Sequence, residues 1–337
     1  VRPRGLGDVY KGQAPSAPSP FPARPSRPRP SVRNFDAALE DFRSTLGANI
    51  TLALSLAYLD AICRAVGQAP HVVLGAEFGV TSAPPPRLPR LLLNLLNGGR
   101  HAYTNPVLSD FPEVLLVPDD EDLEGVLAAF ALVREAIVDR LQACSRRRVG
   151  KHWVHAMPRD GNRQWLDLIM TTLEDLRLTG RFQLMIDAAA GAWRTGRDYR
   201  LSLAEHRCFS SKALLDYWTA LLGDYPITLL EDPFAESDIA GWQRLTTEFP
   251  DRLITGDDLC ATDGARIAAA AKRGMISAVV IKPNQAGSVS RTVEAILAAK
   301  QHGLLAIPSH RSIETETTLL SDLCFLFDAR YVKLGLL

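Results

Sequence analysis

Six ionisable side chains stand at or just after the ends of apolar segments in the C-terminal half of the sequence. They follow one another at intervals of 44, 26, 25, 28 and 23 residues, and they are Asp187, Glu231, Asp257, Lys282, His310 and Lys333. One polar residue at the end of a strand needs no explanation, but solvation alone does not explain six in succession. In a (β/α) barrel the carboxyl ends of the strands converge on one mouth, where catalytic groups lie. The pattern therefore predicts a shared site at the mouth of a barrel.

The residue types in this set indicate metal-assisted proton abstraction. The carboxylates of Asp187, Glu231 and Asp257 would repel one another in a common space and would require a cation. Oxygen ligands without histidine or cysteine favour Mg²⁺ over zinc. Lys282 suits a base that removes a proton next to a substrate carboxylate, provided that the metal and neighbouring cations lower its pKa. Mg²⁺ would stabilise the enediolate that results.

Short β-type segments alternate with amphipathic helices over the region that positions these residues. The predicted strands are Glu113–Val117, Gln183–Ile186, Ile227–Leu230, Arg252–Thr255, Ser277–Ile281, Leu304–Ile307 and Tyr331–Val332. The predicted helices between them include Leu123–Leu141, Gln164–Leu176, Ser211–Leu222, Gly264–Ala271 and Val289–Gln301. This alternation is typical of a parallel α/β sheet or barrel. Two further helices are expected over residues 35–66, joined at Gly47, and Pro84, Pro85 and Pro86 mark a boundary after them.

Composition excludes several classes of protein. The 337 residues are 47% hydrophobic and 23% charged, which rules out a chain that is disordered, fibrous or a coiled coil throughout. No uncharged apolar segment reaches the length of a membrane span, because Asp60 and Arg64 interrupt the best candidate. The five cysteines form no CxxC pair, and reduced thiols in a cytoplasmic protein account for them most simply.

The zero net charge combines two unlike parts. Residues 1–33 contain seven basic groups and one acidic group, a net charge of +6, so the remainder carries −6. Seven prolines between Pro15 and Pro30 predict a disordered leader with too few aromatic residues for nucleic-acid binding. The segment from Gly5 to Gln13 resembles a translated sequencing adapter, which would exclude it from the fold.

Several motifs closely resemble those of the enolase (phosphopyruvate hydratase) family. They are Leu230–Glu236 (LEDPFAE), Gly256–Leu259 (GDDL), Ile281–Ser288 (IKPNQAGS), Ser309–Glu316 (SHRSIETE), Leu46–Asn49 (LGAN), Leu56–Ala57 (LA) and Leu96–Ala102 (LNGGRHA). The resemblance covers residues 36–335 and implies an α/β fold, an enolase-type (β/α) barrel with an N-terminal capping domain. The expected domains are the disordered leader 1–34, a partial capping domain 35–86 and an incomplete catalytic barrel 87–337.

The resemblance also assigns residue roles. Asp187, Glu231 and Asp257 match the family's metal ligands, and Lys282 matches the base that abstracts the proton. Lys333 falls where the family contacts the substrate carboxylate. The match to the phosphate-binding segment comprises His310, Arg311 and Ser312. His101 matches a histidine near the substrate, and Asp110 lies where the family places a glutamate, whereas Asn284 and Gln285 are expected to be structural.

The sequence departs from the family on the side of the leaving group. His152 takes the position of the family's acid glutamate, where it either donates a proton to the leaving hydroxide or is a bystander. Other differences are Arg100 for a serine, Ile313 for a glycine and Thr317 near an aspartate. The family's N-terminal serine loop has no counterpart. The chain stops shortly after Lys333, so the barrel is expected to be truncated before its last strand.

Three functions agree with these features to different degrees. The first is a Mg²⁺-dependent lyase of glycolysis that interconverts 2-phosphoglycerate and phosphoenolpyruvate in the cytoplasm, as a homodimer. The second is an enolase paralogue with altered leaving-group chemistry, similar to carboxyphosphonoenolpyruvate synthase. The third is a non-enzymatic barrel, and the retention of the three carboxylates with Lys282 and Lys333 argues against it. A small phosphorylated carboxylate is the expected partner, with no nucleic acid and no membrane.

Overall fold

A computed structural model of the chain describes residues 30–81, 87–99, 103–158, 161–311 and 317–335. Residues Val32–Leu337 belong to one compact unit. The predicted division of this unit into a capping domain and a barrel stays a prediction.

Eight strands form the largest sheet within these residues. In chain order they are Arg90–Asn97, Glu113–Pro118, Phe182–Asp187, Ile227–Glu231, Leu253–Gly256, Ala278–Ile281, Leu305–Pro308 and Tyr331–Leu334. The second strand is antiparallel to both of its neighbours, and all other pairs are parallel. The first strand pairs with the eighth, and a bridge between Ser309 and Lys333 joins the seventh strand's end to the eighth. The sheet is therefore a nearly closed barrel.

The strand sequences agree with a barrel whose strands are buried on both faces. Ala278–Ile281 (AVVI) is buried at all four positions, as expected for a parallel strand covered on both faces. Side chains that point inward, among them Leu115, Met185 and Leu229, fill the barrel interior. The larger apolar cluster lies between the sheet and the surrounding helices. The barrel is thus a packed core and not a pore.

The predicted alternation of strands and helices is confirmed, with most strand ends shifted by one or two residues. The strand count is corrected from seven to eight, because Arg90–Asn97 (RLLLNLLN) was not assigned. Its leucine-rich sequence has no strict alternation, and its burial on both faces follows only from the barrel. The expected truncation before a last strand rested on the count of seven. What stays incomplete is the junction of the seventh and eighth strands, which the described residues join by one bridge.

Most helices cover the outside of the barrel or precede it. Those before the barrel are Val32–Glu40, Arg43–Leu46, Ala48–Val66 and Pro70–Phe78. The helices that follow the first barrel strand are Leu123–Gln142, Arg163–Asp175, Ser211–Asp224, Ile239–Glu248, Gly264–Lys272, Pro283–Ala286, Val289–Gln301 and Leu319–Phe327, with a 3₁₀ turn at Ala190–Trp193. Gly47 separates two of the early helices with φ +80°, a conformation that favours glycine. The predicted break at this residue is confirmed.

The early helices contact the barrel through hydrogen bonds as well as apolar packing. Thr51 Oγ1 donates to the carbonyl of Gly287 at 2.7 Å, and Ser55 Oγ accepts from the N–H of Val289 at 3.0 Å. Both residues lie on Ala48–Val66, the one described helix whose length and composition would allow it to cross a membrane. These contacts place that helix against the folded barrel.

Two small sheets were not predicted. A hairpin consists of Ser145–Val149 and His152–Ala156, and a three-stranded sheet consists of Arg194–Thr195, Asp198–Leu201 and Arg207–Phe209. The hairpin is anchored on the connection between the first two barrel strands, because Leu108 N–H donates to the carbonyl of His155 at 2.7 Å. That connection runs from the carboxyl end of the first strand to the start of the second. The hairpin therefore stands at the same end of the barrel as the predicted site.

Candidate active site

Neighbouring strand ends bring three carboxylates around one buried lysine. Glu113 is in register with Asp187, and Asp187 is in register with Glu231. The ammonium group of Lys333, on the eighth strand, lies 3.0 Å from Glu113 Oε2, 3.1 Å from Asp187 Oδ2 and 2.7 Å from Glu231 Oε2. Lys333 is only 3% exposed and Glu231 is fully buried. The predicted convergence of these strand ends on one place is thus present in the fold.

A second ion pair lies beside the first. Lys282 Nζ pairs with Asp257 Oδ2, and Gln285 Nε2 donates to Asp257 Oδ1 at 3.1 Å. The hydroxyl of Thr262 accepts from the backbone N–H of Lys282 at 2.9 Å and donates to Gln285 Oε1 at 2.7 Å. Gln285 was expected to be structural only, yet its side chain orients a predicted metal ligand. Thr262 was not singled out in the sequence at all.

Asp232 shapes the loop that carries Asp257. Its carboxylate accepts from the backbone N–H of Asp257 at 3.1 Å and of Asp258 at 2.7 Å. The residue has φ +43°, which aspartate tolerates better than most residues. Burial, and then the nearby Asp257 carboxylate, raise the pKa of Asp232 well above its usual value.

These residues line a cleft of about 280 Å³, called here the acidic cleft. Its walls are Glu113, Asp187, Ala189, Asp232, Asp257, Asp258, Lys282, Gln285, Ser309, His310, Arg311 and Lys333. Five carboxylates and three fixed cations therefore face one small volume. Such a concentration of buried charge costs folding free energy, so a chemical role is its simplest explanation.

The pKa directions follow from burial and from mutual repulsion. Burial, and then the carboxylate of Asp187, raise the pKa of Glu231 well above its usual value. Burial lowers the pKa of Lys282, but the carboxylates of Asp257, Glu231 and Asp187 together outweigh it and the net direction is upward. The opposite direction is the one that a lysine base requires. A cation held by the carboxylates would reverse the balance, because it would compete with Lys282 for their charge.

The predicted ligands agree with Mg²⁺ in their chemistry, because carboxylate oxygens are the donors that Mg²⁺ prefers. Asp187 and Asp257 line the cleft, and Glu231 is fully buried beside Lys333. Glu231 Oε1 is a buried acceptor with no hydrogen-bond partner among the described residues. A second group, Asp232, Asp257 and Asp258, has oxygen atoms within 4.8 Å of one another. Asp257 belongs to both groups, whereas backbone N–H groups already occupy both oxygens of Asp232.

Three of the five predicted phosphate and substrate contacts lie in the cleft wall. They are His310, Arg311 and Lys333, whereas His101 and Ser312 lie outside the described residues. His310 Nδ1 is 2.7 Å from the carbonyl of Arg311. Burial lowers the pKa of His310, so the neutral imidazole is favoured at neutral pH.

Asp110 and His152 are not brought to the cleft. The carboxylate of Asp110 accepts from the backbone N–H groups of residues 203, 204 and 205 at 2.8, 3.0 and 3.0 Å. Asn162 Nδ2 adds a bond at 3.3 Å, and Asn162 Oδ1 accepts from the backbone N–H of Asp110 at 2.8 Å. His152 is half-buried on the hairpin and packs edge-on to Tyr103, with ring centroids 5.3 Å apart. Neither residue is part of the cleft wall. Their predicted catalytic roles stay predictions.

Glu113 is a cleft residue that the strand-end pattern does not identify. That pattern concerns the last residue of each strand, whereas Glu113 is the first residue of its strand. Because that strand is antiparallel to its neighbours, its first residue lies at the same end as their last residues. The available signal was an acidic residue at the start of an apolar segment. It could be interpreted only once the direction of that strand was known.

Comparisons with known proteins agree with this geometry. Residues 86–337 match the family model described as "Enolase, C-terminal TIM barrel domain". A curated enolase from Sulfurimonas denitrificans is 31% identical over 311 residues, which are 89% of this chain and 72% of that protein. Enolases from Natranaerobius thermophilus and Methanothrix thermoacetophila are each 32% identical over 303 residues. The matches cover 88% and 87% of this chain and 68% of each relative.

Proposed function

Because this chain belongs to the enolase family, we propose that it is a Mg²⁺-dependent lyase that interconverts 2-phosphoglycerate and phosphoenolpyruvate. The observation that carries the proposal is the pairing of a buried lysine with carboxylate ligands at the strand ends of one barrel. Lys282 lies against Asp257, and Lys333 lies among Glu113, Asp187 and Glu231. We further propose that the protein acts in glycolysis, in the cytoplasm, as a homodimer.

Each residue has a separate role in the proposed reaction. Lys282 Nζ takes the proton from the carbon next to the substrate carboxylate, and Lys333 neutralises that carboxylate. Arg311 and neutral His310 contact the phosphate from the cleft wall. The family resemblance adds Ser312 to the phosphate contact and places His101 near the substrate. Asp187, Glu231 and Asp257 would hold Mg²⁺, which would supply positive charge next to the substrate carboxylate and favour the neutral form of Lys282. The electron pair left by the abstracted proton forms the carbon–carbon double bond, and the 3-hydroxyl leaves as water with a proton from solvent.

The activity is tested by the absorbance of phosphoenolpyruvate formed from 2-phosphoglycerate. The full chain with Mg²⁺ is expected to produce it, and EDTA is expected to abolish it. Lys282→Ala is expected to lower kcat by at least about 10²-fold, the lower range of the contribution of a general base. Lys212→Ala is the matched control, because Lys212 is exposed and pairs with the exposed Asp216 four residues on. Absence of turnover by the Mg²⁺-loaded protein would contradict the proposal.

A second candidate is an enolase paralogue that expels a different leaving group, similar to carboxyphosphonoenolpyruvate synthase. The supporting observation is that Asp110 and His152, expected on the leaving-group side, do not line the acidic cleft. This candidate predicts Mg²⁺ binding by calorimetry, no turnover of 2-phosphoglycerate, and turnover of an analogue with another leaving group. Absence of Mg²⁺ binding would instead indicate a barrel without catalytic function.

A further inference from the structure

A basic hairpin lies outside the acidic cleft, and none of its residues lines the cleft wall. It comprises Ser145–Ala156 and is called here the basic hairpin. Its sequence, SRRRVGKHWVHA, contains three arginines, one lysine and no acidic residue. Among the described residues, no carboxylate forms an ion pair with these four cations. The hairpin therefore presents unneutralised positive charge to solvent.

One face of the hairpin combines this charge with an exposed aromatic ring. Arg148 is directly opposite Trp153, and Arg146 is directly opposite His155. Directly opposite residues share a face, and so do residues two apart on one strand, so Arg146, Arg148 and Trp153 point the same way. Trp153 is 61% exposed. Arg147 projects from the opposite face, which gives the hairpin an internal control.

The exposure of Trp153 is unusual within this chain. The other four tryptophans, Trp165, Trp193, Trp218 and Trp242, are 0%, 8%, 1% and 0% exposed. Arginines on an edge strand also discourage pairing with other strands, but that role does not require an exposed indole. Trp153 therefore needs an explanation of its own, and a flat ligand that stacks on it supplies one.

The combination favours single-stranded nucleic acid over other anionic partners. Phosphates match arginines that lie about 7 Å apart, two residues along a strand. Bases stack on exposed aromatic rings without regard to sequence. A membrane surface would favour a larger exposed apolar area, but Val149 is half-buried and Val154 is buried. An acidic peptide would use the arginines without the indole.

We propose that the basic hairpin binds single-stranded nucleic acid, with phosphates on Arg146 and Arg148 and a base stacked on Trp153. Lys151, in the turn of the basic hairpin, adds a third cation for the same bound nucleic acid. This interaction is separate from the proposed lyase activity and does not depend on it. It revises the expectation of no nucleic-acid partner, which considered the proline-rich leader and not this hairpin.

Fluorescence anisotropy of a labelled oligouridylate of about 12 nucleotides, a length within the usual site sizes, tests the proposal on the full chain. The expected Kd is about 10⁻⁵ M at moderate salt. Three phosphate contacts predict a log–log dependence of affinity on salt with a slope of about −2. Quenching of Trp153 by unlabelled oligouridylate gives an independent signal, because the other indoles are buried.

Variants separate the two kinds of contact. Arg146→Ser with Arg148→Ser is expected to weaken binding at least about tenfold and to make the slope less negative by about 1. Trp153→Ala is expected to weaken binding about tenfold with an unchanged slope. Arg147→Ser, on the opposite face, is expected to change affinity by less than about twofold. Lys272→Ser with Arg273→Ser removes two exposed charges far along the chain and is expected to have no effect.

Three results would overturn the proposal. If the double arginine variant binds oligouridylate as well as the unchanged protein does, the contacts lie elsewhere, for example in the basic leader. Binding that is lost in that variant but unaffected by Trp153→Ala would reduce the interaction to charge alone. Arginine-dependent binding of phosphatidylserine vesicles without binding of oligouridylate would identify a membrane surface instead. Thermal denaturation of each variant shows whether it is folded under the assay conditions.

Discussion

The acidic cleft and the surroundings of Asp110 are two buried acidic regions with opposite construction. In the cleft, the carboxylates of Glu113, Asp187 and Glu231 face one ammonium group, and Glu231 Oε1 has no hydrogen-bond partner in the described residues. Asp110 is equally buried, but backbone and amide N–H groups surround its carboxylate.

The contrast shows how burial can serve either stability or chemistry. N–H groups that converge on a carboxylate stabilise its charged form locally and hold two loops together. Carboxylates that repel one another and share too few cations do not optimise stability. A region of the second kind is a candidate site, and a region of the first kind is a structural clamp.

The largest expected effect on stability comes from Lys333→Met. It removes the cation among three carboxylates, and breaking a buried pair in this way costs about 3–5 kcal/mol. Urea denaturation measures the free energy of unfolding. Added Mg²⁺ is expected to recover part of the loss, because it binds only the folded cleft.

The control for Lys333 is Lys212→Met, which breaks an exposed pair with Asp216 at 3.3 Å. Exposed pairs of this kind contribute about 0–1 kcal/mol. Equal losses in the two variants would contradict the view that the cleft charges depend on Lys333.

Asp110→Asn is expected to destabilise the fold by about 2–4 kcal/mol, because one side-chain oxygen cannot replace two charged acceptors for the converging N–H groups. The kcat of the folded protein is expected to fall by less than about tenfold, since Asp110 does not line the cleft. A loss of kcat of about 10²-fold or more, with stability retained, would instead support the catalytic role predicted from the sequence.

Glu231→Gln is expected to produce the reverse pattern. It removes one of three mutually repelling carboxylates whose ionised form burial disfavours, so stability is expected to change by no more than about 1 kcal/mol. Turnover is expected to fall by at least about 10²-fold, because a predicted metal ligand is lost. Denaturation and phosphoenolpyruvate formation are measured on the same preparation. A large loss of stability with normal turnover would make Glu231 resemble Asp110.

The smallest expected effect concerns His155, outside both regions. Burial, and then the positive charge of Arg146, lower its pKa below the usual value of 6.5. The unfolded chain therefore binds this proton more readily than the folded one, so the contribution to stability is full above about pH 6.5 and is lost as pH falls. Arg146→Ser is expected to reduce this loss on acidification, measured by urea denaturation at several pH values. A larger loss in the variant would contradict the assigned cause.

Much of the cleft was predictable because strand ends are local features. Asp187, Glu231, Asp257, Lys282 and Lys333 each end or follow an apolar segment, and parallel strands bring such positions together in any barrel. Glu113 was not predictable by the same rule, because the direction of its strand is a property of the whole sheet. Asp110 was predicted by its spacing after His101, but spacing along a loop does not determine where the loop directs a side chain.

The sequence by itself determined the alternation of strands and helices, the residues at the strand ends and the basic composition of the segment after residue 144. These features depend on local periodicity and on the order of residues. The tertiary structure decided that Arg90–Asn97 is a barrel strand, which raises the count to eight, and that three carboxylates surround Lys333. It also decided that Asp110 is a clamp and that Trp153 shares a face with two arginines. These arrangements depend on register and strand direction, which only the pairing of distant segments establishes.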